Sequence, residues 1–250
     1  MKKQQRWMTI IEACQKQNMV RVEDLIKQLQ VSAATVRRDL TQMEELRMVR
    51  RCHGGVSLDI NQTREPSMIM KSGMNAGGKH AVARMAASLI QDHQMVYIDA
   101  GSSTLEMLDY ITAKNITVVT SGIPHIEKLG KAHIRTIVVG GAVRWSTSAI
   151  SGHTALKQLE PMFFDVAFIG VNGIHDIMGF TTTNQQEADT KHLVIQHSKC
   201  AYIMADRSKF HVLYPENFAK LSEAIILSDD LGDFPSDHIR YRLTNGEVSQ

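Results

Sequence analysis

Val31-Ser32-Ala33-Ala34-Thr35-Val36-Arg37-Arg38-Asp39-Leu40 is the stretch on which the reading of this 250-residue chain turns. Ser32 stands where a helix N-cap is wanted, because its hydroxyl can accept a hydrogen bond from a first-turn N–H. Val36, Leu40 and Met43 follow at i, i+4 and i+7, the spacing of one buried helical stripe. Thr35 and Arg38, three apart, share a face, and Arg37 lies about 100° from Arg38. A short helix with one packed side and one basic, hydroxyl-bearing side suits a DNA major groove.

Working outward, Trp7, Ile10, Ile11 and Cys14 repeat at helical spacing over Gln5 to Gln17, with Asn18 as a stop. Val22 to Leu29 predicts a second, shorter helix that faces inward through Val22, Leu25, Ile26 and Leu29. Helix, short helix, tight turn, helix is the helix-turn-helix order. Beyond it, Met48–Arg51 and Val56–Leu58 flank Cys52-His53-Gly54-Gly55, which predicts two short strands around a glycine turn, a wing. Ser32, Thr35, Arg37, Arg38, Arg51 and His53 are the candidate DNA contacts. The competing reading makes Thr35, Arg37 and Arg38 a surface cap with intrahelical pairing, Arg37 to Thr41 for instance, and leaves His53 only closing the turn. Charge favours DNA: residues 1–56 carry a net +5 and the remainder −3.

Three cysteines, none spaced C-x-x-C, argue against a disulfide framework or a zinc site. The charged N-terminus runs into an amphipathic segment rather than the apolar core of a signal peptide. No apolar run approaches the roughly 18 residues of a membrane span. A cytoplasmic protein with reduced thiols, no membrane partner and no metal or cofactor is expected. His192 and His197, five apart, lack the H-x-x-x-H spacing of metal ligands.

Residues 59–78 lack periodicity and are expected to be a linker between a domain over 1–58 and another over 79–250. Gly73-x4-Gly78-Lys79 imitates a P-loop, but His80 stands where Ser or Thr would ligate magnesium and no buried strand leads into it. From Lys79 the pattern becomes alternating helices and apolar strands. Strands are expected at Met95–Ile98, Ile116–Val119, Ile134–Val139, Val166–Ile169, Ala201–Met204 and Ala224–Leu227. Intervening helices lie near Thr104–Ile111, Ile123–Leu129, Thr154–Leu159 and Glu187–Gln196. Such alternation means a doubly wound, mostly parallel α/β domain. Small and polar residues gather after the strands: Asp99-Ala-Gly101-Ser102-Ser103-Thr104, Thr120-Ser121-Gly122, Gly140-Gly141 and Asp206-Arg-Ser-Lys209. In an open parallel sheet those ends line the ligand crevice. The Gly101–Thr104 loop, opening a helix, could hold a phosphate, with Lys209, Lys191 or Arg144 as countercharge. Against this, glycines occur at strand–helix turns for steric reasons alone.

The run from Arg6 to Val56, with VSAATVRRDL followed by RRCHGGV, resembles the winged helix-turn-helix of DeoR-family transcriptional regulators. DAGSST, FIGVNGI, GFTTTNQQEADTK and ADRSKF resemble the sensor domain of the same family, which is similar in fold to ribose-5-phosphate isomerase. The resemblance implies a repressor of a carbohydrate-utilisation operon. Its partners would be double-stranded operator DNA, a phosphorylated sugar and further copies of itself in a homodimer or homotetramer. It further implies that Asp99, Ser102, Ser103, Thr104, Lys191 and Lys209 contact the effector. Three positions depart from the family pattern: Arg47 and His211 where Gly is usual, and Thr120-Ser121-Gly122 where Thr-Asn-Ser is usual. The isomerase's Glu-Lys pair would fall near Thr190 or Lys191, where no carboxylate stands. Glu187 is expected to cap its helix or pair with Lys191 at i+4. Binding without turnover is therefore expected. An isomerase-like enzyme, or a body that serves assembly alone, is the alternative.

Overall fold

The computed structural model describes residues 3–17, 19–45, 49–52, 54–58 and 76–249. Asn18, Arg47, His53 and residues 59–75 of the expected linker lie outside them.

The head has the expected order: α1 (Lys3–Lys16), β1 (Val20–Arg21), α2 (Val22–Leu29), α3 (Ala33–Glu45), β2 (Val49–Cys52) and β3 (Gly55–Leu58). Trp7, Ile10, Ile11 and Cys14 of α1 pack against Leu25 and Leu29 of α2 and Val36, Leu40 and Met43 of α3. Every apolar position assigned to those helical stripes by spacing is thus buried or packed on this cluster. Strands β2 and β3 pair antiparallel from Val49↔Leu58 to Cys52↔Gly55, with Gly54 at φ +75° in the turn. A left-handed backbone there suits a residue without Cβ. The two-residue β1 adds a third strand through Val20↔Val56; it is too short to show an alternating pattern.

One polar contact ties the head together. Arg6 Nε donates to Asp39 Oδ2 at 2.6 Å and its Nη2 to Oδ1 at 3.0 Å, so a forked ion pair joins α1 to α3. Asp39 therefore faces inward although it follows two exposed arginines. Burial pushes the Cys14 thiol up to about 11, which keeps it protonated and inert at neutral pH.

The body is built on seven strands: β4 (Met95–Ile98), β5 (Thr117–Thr120), β6 (Arg135–Val138), β9 (Val166–Gly170), β12 (Ala201–Met204), β14 (Ile225–Ser228) and β15 (Arg240–Leu243). Their order is β15-β14-β12-β9-β4-β5-β6 and every neighbouring pair is parallel. Side chains alternate between two cores. In β9, Val166 and Phe168 face one and Ala167 and Ile169 the other. Helices cover both faces: α4 (Ala76–Ser88), α5 (Ser102–Met107) and α6 (Ile123–Lys131) on one side, α7 (His153–Leu159) and α8 (Gln185–Gln196) on the other. Burial on both faces explains why the inner strands β4, β5, β9, β12 and β14 read as apolar runs, while the edge strands β6 and β15 are partly exposed.

Four differences from expectation have local causes. Helix α4 begins at Ala76 rather than Lys79, since its first turn needs no intrahelical N–H partner and tolerates Gly77-Gly78. Thr104–Ile111 splits into α5 and a 3-10 turn at Leu108–Tyr110. An antiparallel hairpin, β7 (Ala142–Arg144) with β8 (Ala149–Ser151), follows β6. A small antiparallel sheet, β10 (Gly173–His175), β11 (Gly179–Thr182) and β13 (Glu216–Ala219), stands beside α8. These strands are only three or four residues long, too short for an apolar alternation to stand out in the sequence. Through Ile177, Met178 and Leu213 this small sheet and its neighbouring loop pack against the apolar core of the head.

Candidate functional site

On the head, Ser32 is the N-cap of α3, its Oγ accepting from the Thr35 N–H at 3.2 Å. The Ser32 and Thr35 hydroxyls also share a hydrogen bond of 2.9 Å. Arg37 and Arg38 are exposed, one residue past the buried Val36 and before the buried Asp39. Thr41 Oγ1 donates to the Arg37 carbonyl at 3.0 Å, so the intrahelical pairing involves the backbone and leaves the guanidinium out of it. Arg51 is exposed on the wing, where its N–H donates to Glu44 Oε1 at 3.1 Å. Ser32, Arg37, Arg38 and Arg51 form an exposed, mostly cationic set at α3 and the wing strand β2.

On the body, the chain runs outward in opposite directions from β4 and β9: β4 leads to β5 and β6, and β9 to β12, β14 and β15. The boundary between β4 and β9 is the switch point at which open parallel sheets bind ligands. Asp99 follows β4 and Gly170 ends β9 at that boundary. Asp99 Oδ2 accepts the Gly170 N–H at 3.1 Å, and Lys191 Nζ donates to both Asp99 Oδ2 and, at 2.8 Å, the Gly170 carbonyl. Both side chains of this ion pair are at least 93% buried.

A cleft of about 250 Å3, counted with its open mouth, lies over this point and is lined by Asp99, Ala100, Ser121, Ala149, Ile150, Ser151, Glu187 and Thr190. Asp99 and Ser121 were candidates from the sequence. Ser151 and Thr190 were missed. Glu187 departs from its expectation: its carboxylate accepts from Thr147 Oγ1 at 3.2 Å, with Arg144 Nη1 3.9 Å away, while Lys191 bonds Asp99 and the Gly170 carbonyl. The N–H of Glu187 is capped by Asn184 Oδ1 at 3.2 Å, so Asn184 takes the capping role.

The remaining candidates do not line this cleft. Lys191 is spent behind Asp99, which fixes that carboxylate rather than offering charge to a ligand. Thr104 is buried, its Oγ1 donating to the Asp99 carbonyl at 2.6 Å, so it braces the loop. Gly101, Ser102 and Ser103 are half-buried at the start of α5, and Lys209 is half-buried in a 3-10 turn after β12. Gly141, at φ +154°, lets β7 approach β8; a Cβ there would stand 2.6 Å from the Ser151 carbonyl. His125 Nε2 lies 3.2 Å from Thr104 Oγ1, and burial pushes this imidazole down to about 3. Tyr97 OH and Ser121 Oγ are 3.2 Å apart beneath the cleft, and burial pushes the phenol well above its usual range. His192 and His197 each bond a backbone carbonyl through Nδ1, Phe218 at 3.0 Å and Met162 at 3.1 Å, and serve packing. His211 adopts φ +60°, which accounts for the glycine usual at this position.

Two family profiles match the chain, a DeoR-like helix-turn-helix domain over residues 6–62 and a DeoR C-terminal sensor domain over residues 74–230. Among curated relatives, an uncharacterised HTH-type transcriptional regulator FruR of Bacillus subtilis is 37% identical, covering 94% of each chain. The lactose phosphotransferase system repressor of Streptococcus mutans is 29% identical over 93% of this chain and 94% of that one. Among solved structures, ribose 5-phosphate isomerase from Plasmodium falciparum matches at 17% identity with a TM-score of 0.39, over 53% of this chain and 52% of that one.

Proposed function

The chain belongs to the DeoR family of transcriptional regulators and is a DNA-binding regulator, and from this premise we propose that it represses a carbohydrate-utilisation operon under the control of a phosphorylated sugar. Ser32, Thr35, Arg37, Arg38 and Arg51 carry the operator contacts, with phosphate contacts positioning the head and one or two base-edge contacts specifying sequence. His53, a candidate from the sequence, joins them. The cleft over the β4/β9 boundary holds the effector. The domains run over 1–58 and 79–250 and the protein works in the cytoplasm. One winged head reads a few base pairs, so a homodimer or homotetramer on repeated half-sites is the working form.

The observation that carries this reading is a physical route between the two sites. Thr182, at one end of β11, has its Oγ1 3.4 Å from the cleft carboxylate of Glu187. Beyond the other end of β11, Met178 and Ile177 rest on the head core. A ligand that reshapes the cleft wall therefore acts on the seat of the DNA-reading head.

The test is binding of the full chain to DNA upstream of its own gene, with and without a panel of hexose and pentose phosphates. One panel member should change the affinity about 5–150-fold, a coupling of about 1–3 kcal/mol. No change with any member would overturn the control scheme. Because Asp99 and Glu187 place carboxylates in the cleft, the same mixtures should be assayed for sugar-phosphate interconversion. Turnover would favour the enzyme reading.

A further inference from the structure

We infer that the floor of the cleft recognises the polyhydroxyl segment of its ligand and that the phosphate of a sugar phosphate lies outside it. This rests on the sensing role proposed above and adds which end of the effector enters.

The donors and acceptors on the cleft wall decide which guest fits. Asp99 Oδ2 is taken by Lys191 and the Gly170 N–H, while Oδ1 takes part in neither bond and the residue lines the cleft. Glu187 supplies a second carboxylate to the same wall, each of its oxygens already accepting one threonine hydroxyl, Thr147 at 3.2 Å and Thr182 at 3.4 Å, with lone pairs left over. Two of the lining hydroxyls have already committed their protons. Thr190 Oγ1 donates to the Gln186 carbonyl at 2.9 Å, and Ser151 Oγ donates towards Gln186 Oε1 at 3.4 Å. Each turns only lone pairs to a guest. Ser121 differs. It shares a hydrogen bond with the fully buried Tyr97 hydroxyl in which either oxygen can donate, and with the phenol as donor the serine proton is left for the cleft.

The floor thus offers several acceptors, two of them carboxylates, and one side-chain donor. A phosphate at neutral pH is rich in acceptors and negatively charged, so it would meet acceptors and like charge. The nearby cations already face acids, Lys191 from behind Asp99 and Arg144 at 3.9 Å from Glu187. A sugar hydroxyl donates to a carboxylate and accepts from Ser121, which an ammonium group could not do.

The experiment is calorimetric titration of the full chain with glucose 6-phosphate, fructose 6-phosphate, fructose 1-phosphate, glycerol 3-phosphate and inorganic phosphate. The tightest organic phosphate should bind at least 100-fold better than inorganic phosphate. Glu187→Gln should weaken it about 10–100-fold, the range for a lost hydrogen bond to a charged group. Inorganic phosphate binding within tenfold of that ligand, or tighter binding by Glu187→Gln, would overturn the inference and seat the phosphate on the floor. The comparison of ligands on the wild-type chain does not depend on the variant folding. If no organic phosphate binds the wild type, the sensing role itself fails, and this inference with it.

Discussion

Replacing Lys191 by Met tests whether the β4/β9 boundary is held by charge. The side chain is 6% exposed and its ammonium neutralises Asp99, which is 7% exposed. Removing one partner of such a pair leaves an uncompensated buried charge, a loss of about 3–5 kcal/mol. The Gly170 carbonyl also loses its Lys191 donor. A typical domain is stable by about 5–15 kcal/mol, so the single change removes a large fraction of that. With a urea slope of about 2 kcal/mol per molar, the unfolding midpoint should fall by roughly 1.5–2.5 M, followed by far-UV circular dichroism. The double variant Asp99→Asn/Lys191→Met carries no orphan charge, and its amide oxygen can still accept the Gly170 N–H. It should recover at least half of the loss. A midpoint shift below about 0.3 M for the single variant, or no recovery in the double, would show that the pair does not hold the two strand ends by charge compensation.

Three further outcomes are expected. Arg38→Ala should weaken operator binding by about 1–3 kcal/mol and lower the salt slope by about one if the guanidinium meets a phosphate; an unchanged slope places it off the backbone. His125 is held neutral in the fold, with its pKa down at about 3 against an ordinary 6.5. Unfolding therefore takes up a proton, and its contribution to stability is full above pH 6.5 and falls as pH drops towards 3. The stability gap between wild type and His125→Gln should narrow by about 2 kcal/mol between pH 7 and pH 5, at about 1.4 kcal/mol per pH unit; parallel curves would refute it. Ile177→Ser/Met178→Ser should leave sugar-phosphate binding intact and abolish its effect on operator affinity, and a full response would remove the β10–β11 turn from the route.

Local periodicity by itself determined the head. The stripes of α1, α2 and α3, the Ser32 cap and the glycine turn of the wing all depend on residues within a few positions of one another, and each is where spacing places it. The same holds for the strands of the seven-stranded sheet except β15, whose Arg240-Tyr-Arg-Leu243 lies at a sheet edge and is polar at alternate positions. Composition also placed Asp99 and Ser121 at strand ends, where both line the cleft, whatever the order of the strands. Strand order was beyond any local pattern, because it is set by which apolar faces the helices cover together. That order makes β4 and β9 neighbours and brings Asp99 within reach of Lys191, 92 residues away. Helical spacing pairs Lys191 with Glu187; the tertiary structure gives Lys191 to Asp99 and turns Glu187 into the cleft. The physical reason is that a buried cation takes the partner whose desolvated charge most needs it, and only the folded sheet decides which carboxylate is buried.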